Sequence, residues 1–146
     1  MRALDAAVTL ADASGWTLTN LQLQKLLYIT QMFHLGEHGG LPAFNEDFQA
    51  WKLGPVLPAV YGPAKVYGSR PVKSLFHKSA LPEGTARDTA LEVYNELGQT
   101  PAFKLVAITH WDKGAWAKHY RDGEFGRRIP KEDILNEYRT RQTVKI

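Results

Sequence analysis

His34 and His38 are the first side chains in this sequence whose type and spacing could do chemistry. Two imidazoles at i and i+4 on one helical face can share a metal ion. The zinc-hydrolase pattern places a glutamate directly after the first histidine, and Leu35 stands there instead. A catalytic centre also needs a third ligand, and neither His110 nor His119 shares a motif with an acidic residue that would supply one. No metal is therefore expected. With no cysteine in the chain, thiolate ligands, thiol nucleophiles and disulfides are excluded. Ser14, Ser69, Ser74 and Ser79 fall in loop-like context, and none sits in a G-x-S-x-G elbow. The glycines of the 36–40 stretch match neither phosphate-binding pattern. Catalytic groups need only meet in space, so an uncharacterised hydrolase stays as an alternative. The leading expectation is a protein that is not an enzyme, with no catalytic residue and no cofactor.

What remains is binding chemistry. Four tryptophans, six tyrosines and six phenylalanines are many for 146 residues. Most large aromatics fill cores, yet tryptophan, tyrosine and arginine also anchor protein interfaces. Trp51 lies in an otherwise apolar run and is assigned mainly to the core. The net charge is +3, with Arg127, Arg128, Lys131, Arg139, Arg141 and Lys145 near the end. Interspersed charges of this kind usually make a solvated surface, so a nucleic-acid binder is a second alternative and nucleic acid is not the expected partner.

These residues must be positioned by helices. Thr19, followed three residues later by Gln22, is a capping-box signature. After it, Leu23, Leu26, Leu27, Thr30, Phe33 and His34 share one helical face, while Leu21, Tyr28, Met32 and Leu35 line an adjoining one. A helix apolar over so much of its circumference belongs inside a domain. The sequence thus predicts a central buried helix at about 20–37, ended by Gly36, Gly39 and Gly40. A short helix precedes it over 1–13, with Trp16 placed against the core.

Residues 46–53 alternate as an extended segment does, Gly54-Pro55 reads as a turn pair, and Pro58 opens a helix that stops near Gly68 with Pro63 shortening it. The 70–83 stretch reads as an exposed connection, with 71–76 a candidate second strand. Thr85 is expected to cap a helix over 86–97, Pro101 to start one ending near His110, Asp112 to cap a short one carrying Trp116 and Tyr120, and a last helix to run over 129–138. Length and composition fit one mainly α domain, a compact helical bundle over 1–146. No run approaches the ~18–20 apolar residues of a membrane span. The N-terminus lacks a secretory pattern, so a cytoplasmic location is expected.

Three blocks resemble a known family. Leu21-Gln-Leu-Gln-Lys-Leu-Leu-Tyr28 is similar to a "T-x-x-L-Q-K-L-L-Y" helix start, and Phe48-Gln-Ala-Trp-Lys-Leu-Gly-Pro-Val56 with Pro58 and Tyr61 to an "A-W-x-x-G-P-V-x-P-x-x-Y" turn. His110, Trp116 and the 129–138 stretch resemble a third, weaker block. Together they resemble the Panacea domain family, which includes the SocA-type antitoxins and phage-associated GepA proteins, over about residues 17–138. The resemblance implies an antitoxin that neutralises a cognate toxin by direct binding, and for SocA-type members a proteolytic adaptor presenting the toxin to a Clp protease. Some relatives carry an N-terminal DNA-binding domain, for which this chain's start gives no support. Under that reading Gln24, Lys25 and Gln31 on the polar side of the core helix, with Lys52 and Tyr61 near the turn, are the candidate partner-binding residues. Leu23, Leu26, Leu27, Tyr28, Trp51, Gly54, Pro55 and Trp116 are the candidate structural motif.

Overall fold

The computed structural model describes residues 1–144 of the chain. Its centre is α2 (Asn20–Glu37). The expected capping box is present: the Thr19 hydroxyl accepts from the Gln22 amide at 3.2 Å, and the Gln22 side chain accepts from the Thr19 amide at 2.9 Å. Two donors that a helix start leaves free are thereby satisfied. Leu23, Leu26, Leu27 and Tyr28 are fully buried, because α1 (Ala3–Ala13), α4 (Thr85–Leu97), α5 (Ala102–Thr109) and α7 (Lys131–Thr143) pack around this helix. The small α3 (Pro58–Ala64) and α6 (Ala115–His119) complete a mainly α domain.

Gly36 does not end α2, which runs through it to Glu37. A Cβ at Gly36 would overlap the Tyr138 ring, so the glycine is a notch that seats α7, and Phe33 meets Tyr138 edge-on at 5.8 Å. The stop belongs to Gly39 and Gly40, with φ of 61° and 90°.

A three-stranded antiparallel sheet of order β2-β1-β3 caps one flank of α2, from β1 (Phe48–Trp51), β2 (Gly54–Val56) and β3 (Arg127–Ile129). β1 alternates as expected, Phe48 and Ala50 inward. The turn differs from the expectation: Trp51 pairs with Gly54, so Lys52-Leu53 is the turn and Gly54-Pro55 begins β2. β3 has no counterpart in the sequence reading, which began the last helix at residue 129. Three residues are too short to alternate legibly, and α7 starts only after Pro130.

Residues 70–83 form a connection that is mostly exposed, as expected, but pinned to the core at three points. Val72, Leu75 and Leu81 are buried, and no strand forms at 71–76 beyond an isolated bridge between Thr19 and Pro71. The segment is fixed by α1 side chains instead of a ladder: His77 Nε2 donates to Asp5 at 2.7 Å and the Leu81 amide donates to the Thr9 hydroxyl at 2.9 Å. Two expected caps also move. Gly84 caps α4, leaving Thr85 as its first residue, and Gly114, not Asp112, caps α6.

Candidate functional site

Gln24, Lys25 and Gln31 were expected on a polar side of α2, and α2 has none there. Lys25 and Gln31 are 0% exposed and Gln24 is 2% exposed. Each satisfies buried backbone groups, of the loop after α2, of β2 or of the start of α3, that would otherwise stay unpaired. Gln31 accepts from the Ala43 amide at 2.7 Å and donates to the Phe44 carbonyl at 3.0 Å. Gln24 accepts from the Leu57 amide at 2.8 Å, satisfying the backbone donor of the residue that caps α3. Lys25 Nζ donates to the Pro55 carbonyl at 2.9 Å.

That last bond belongs to a set. Trp116 Nε1 donates to the Trp51 carbonyl at 2.7 Å, the Leu53 carbonyl faces the His110 ring, and Lys25 holds the carbonyl of Pro55. Two carbonyls of the hairpin, those of Trp51 and Pro55, are thus engaged by side chains from two separate helices, α6 and α2. His110 stacks flat on Trp116 at 3.9 Å, and Trp116 on Tyr120 at 4.9 Å. Gly54, at φ 115°, permits the approach, since a Cβ there would lie 2.9 Å from Lys25 Nζ and 3.2 Å from the His110 ring.

Burial lowers the Lys25 pKa to about 7. Burial also lowers that of His110, with the Leu53 carbonyl opposing and the Lys25 charge adding to the shift. Among the described residues, His110 Nε2 is buried without a partner. Between pH 7 and 10.5 the unfolded chain holds a Lys25 proton that the folded chain sheds, so folding stability rises with pH in that window. Urea unfolding is expected to show a gain of about 2–3 kcal/mol from pH 7 to 9.5 that Lys25→Met removes. An unchanged slope in the variant would exclude Lys25 as its source.

The hairpin so fixed forms one wall of a surface groove of about 510 Å³, lined by Trp51, Lys52, Leu53, Val56, Tyr61 and Phe125, with Gln24 at its floor. Trp51 is half-buried, neither core nor free: its ring lies 4.7 Å from Tyr61 and 4.8 Å from Phe125, and its Nε1 donates to Gln49 at 3.0 Å. Phe125 is 78% exposed and Leu53 56% exposed. A contiguous exposed aromatic cluster of this kind marks interaction surfaces. Lys52 and Tyr61, the two candidate partner-binding residues near the turn, both line this groove. Phe125 escaped the sequence reading because one aromatic in a glycine-flanked turn carries no periodicity.

The scaffold behind the groove closes on Glu137, also unforeseen. This buried carboxylate accepts from the Tyr28 hydroxyl at 2.6 Å, the Ala115 amide at 2.9 Å and Arg141 Nε at 2.9 Å, tying α2, α6 and α7 together. Burial first, then Glu137, raises the Tyr28 pKa well above its usual value. Arg141 also donates to the Ile108 carbonyl at 2.6 Å and lies 4.5 Å over the Trp111 ring.

His34 is fully engaged: Nδ1 donates to the Leu41 carbonyl at 2.6 Å and Nε2 accepts from the Thr85 hydroxyl at 2.8 Å. Burial lowers its pKa, consistent with that neutral tautomer. Among the described residues no three His, Asp or Glu side chains are placed to hold a metal ion. Most of the late basic set is paired: Arg127 with Glu124, Arg128 and Lys131 with Asp47, and Arg141 with Glu137. Arg139 is exposed, and Lys145 lies outside the described residues. No helix among the described residues is long and apolar enough to cross a membrane.

A family model described as "Antitoxin SocA-like, Panacea domain" matches residues 23–117, which carry the α2 polar side chains, the hairpin, His110 and Trp116. The chain is 33% identical over 117 residues to Antitoxin SocA of Caulobacter vibrioides (strain NA1000 / CB15N), a match covering 73% of this chain and 62% of that relative. It therefore spans less than two thirds of the length of the curated relative it matches. No solved structure matches it.

Proposed function

The chain belongs to the SocA-like antitoxin family with a Panacea domain, and from that membership we propose that it neutralises a cognate toxin protein by binding it directly, without covalent chemistry. The observation that carries this reading is the aromatic groove of Trp51, Tyr61 and Phe125 on a hairpin held from behind. A surface fixed before binding loses less entropy when a partner docks, which is where affinity beyond buried area comes from. In this reading Lys52 and Tyr61 contact the toxin at the rim. Gln24, Lys25 and Gln31 contribute indirectly, by setting the backbone on which the contacts sit. Occlusion of the toxin's working surface needs only a standard interface of ~800 Å² per partner. Presentation of the bound toxin to a Clp protease extends the same proposal. The internal pairing of Arg127, Arg128, Lys131 and Arg141 counts against a nucleic-acid binder, which needs unneutralised cations along one face.

The test is co-expression with the gene adjacent to this one in its native operon. The neighbour alone is expected to arrest growth, and its co-expression with this protein to restore growth and yield a complex on affinity purification. A harmless neighbour, or rescue without any complex, would sink direct neutralisation. The adaptor extension stands if the toxin's half-life shortens when both this protein and a Clp protease are present, and falls if it does not.

A further inference from the structure

A second surface lies at the far end of α2, and its charge runs against the rest of the chain. Asp88, Glu92 and Glu96 stand at i, i+4 and i+8 along the outer face of α4, and Glu37 joins them from the last turn of α2. Glu37 shares one hollow with Asp88 and Glu92, and a neighbouring one with Glu92 and Glu96. All four are exposed, and among the described residues none forms an ion pair or accepts a side-chain hydrogen bond. Asp88, in the first turn of α4, suits the helix dipole, but stability does not account for the other three. Like charges four apart on a helix repel, and carboxylates in a last helical turn, where Glu96 and Glu37 sit, oppose the helix dipole. Nor does composition, since the chain as a whole carries +3.

Beneath these carboxylates the floor is apolar. Phe33, Val93 and Leu97 line a hollow of about 330 Å³, and Phe33 and Leu97 also wall an adjoining hollow of about 260 Å³ that reaches Ile29, Met32 and Ile108 and runs on to α7, where Arg141, paired with Glu137, lines it. Two hollows with a common wall suit two apolar side chains about one helical turn apart, the pattern by which amphipathic helices dock in grooves. The flanking carboxylates require basic residues beside those anchors.

We propose that this trough, which starts between α2 and α4 and runs on towards α5 and α7, docks a cationic amphipathic helix of a partner protein. It goes beyond the antitoxin reading and is separate from the aromatic groove. On α2 the groove reaches Gln24 and the trough begins at Ile29, roughly 7.5 Å further along the helix axis and about 140° around it. The two surfaces share no lining residue.

The probe is a labelled 14-residue peptide of leucine and lysine in helical amphipathic order, read by fluorescence anisotropy on the full chain. Binding is expected to weaken at least tenfold in Glu92→Lys/Glu96→Lys, and also as salt rises from about 50 to 300 mM. A peptide of the same composition without an apolar face is expected to bind at least tenfold more weakly. Should the reversal variant not fold, the near-isosteric triple variant E37Q/E92Q/E96Q carries the same expectation. Amide shifts on α4 and the last turns of α2 would support the site. Equal binding by the variants or by the permuted peptide would overturn it, as would shifts centred on Trp51, Tyr61 and Phe125. A wild-type dimer that becomes a monomer on charge reversal would assign the trough to a second copy and overturn the proposal. None of these readouts depends on growth rescue, so failure here leaves the toxin test standing by itself.

Discussion

Glu137→Ala is expected to destabilise the fold by about 3–5 kcal/mol, the range for a buried charged pair that loses one partner. Three donors converge on this carboxylate, from the Tyr28 hydroxyl, the Ala115 amide and the Arg141 guanidinium. Alanine leaves all three without their acceptor, and the Arg141 charge without its counterion. No side chain among the described residues stands ready to replace it, and a water molecule could restore only part of the bonding. Against a total of roughly 5–15 kcal/mol for a domain, the loss would leave much of the chain unfolded at 37 °C. Glu137→Gln keeps one acceptor and sheds the charge, so a smaller loss is expected. Tyr28→Phe removes a donor without stranding Arg141, and about 1–2 kcal/mol is expected. Urea unfolding of the three variants checks the order. A Glu137→Ala loss below about 1 kcal/mol would show that the three contacts do not bear on stability.

The second large effect is on binding. If the groove is the toxin surface, Trp51→Ala/Phe125→Ala should weaken the complex at least 100-fold, about 2.7 kcal/mol, as truncation of central aromatic anchors does. Phe125→Ala is the cleaner half. At 78% exposure this side chain contributes little to folding, so lost affinity cannot be assigned to a lost fold. Trp51 is half-buried and bonded to Gln49, and its variant needs a parallel unfolding measurement. Lys52→Ala is expected to change affinity only a few-fold, chiefly through the association rate, because a rim charge steers more than it holds. Calorimetric titration with the purified toxin separates these. Should Phe125→Ala bind within twofold of the parent chain, the groove is not the interface.

Much of the fold was legible in the residues. The capping box at Thr19 and Gln22, with the apolar wrap of Leu23 to Leu35, places α2 correctly because both are local signals of one helix. The same wrap implied more than was taken from it. A helix apolar over most of its circumference has little polar side left, so Gln24, Lys25 and Gln31 had to be buried with partners. Which partners was not legible, since the Ala43, Pro55 and Leu57 backbone groups reach them only through the tertiary fold. Glu137 is hidden for the same reason: nothing near Glu137 in sequence separates it from Glu132, which is exposed. The 70–83 segment is the mostly exposed loop its prolines suggest, but its anchoring was not legible, because it depends on Asp5 and Thr9, each 72 residues away from its partner.

The Tyr28–Glu137 bond spans 109 positions. A ribosome makes the central helix 109 positions ahead of its closing partner, so over that stretch of synthesis the nascent chain holds the Tyr28 face of α2 without α7. Chain segments contact each other here across most of the sequence, which slows folding relative to a bundle of neighbouring helices. The groove and the scaffold behind it therefore mature together, once α7 has been made. A message cut short before α7 would yield a product lacking the carboxylate that locks three helices, however complete its groove-forming residues are.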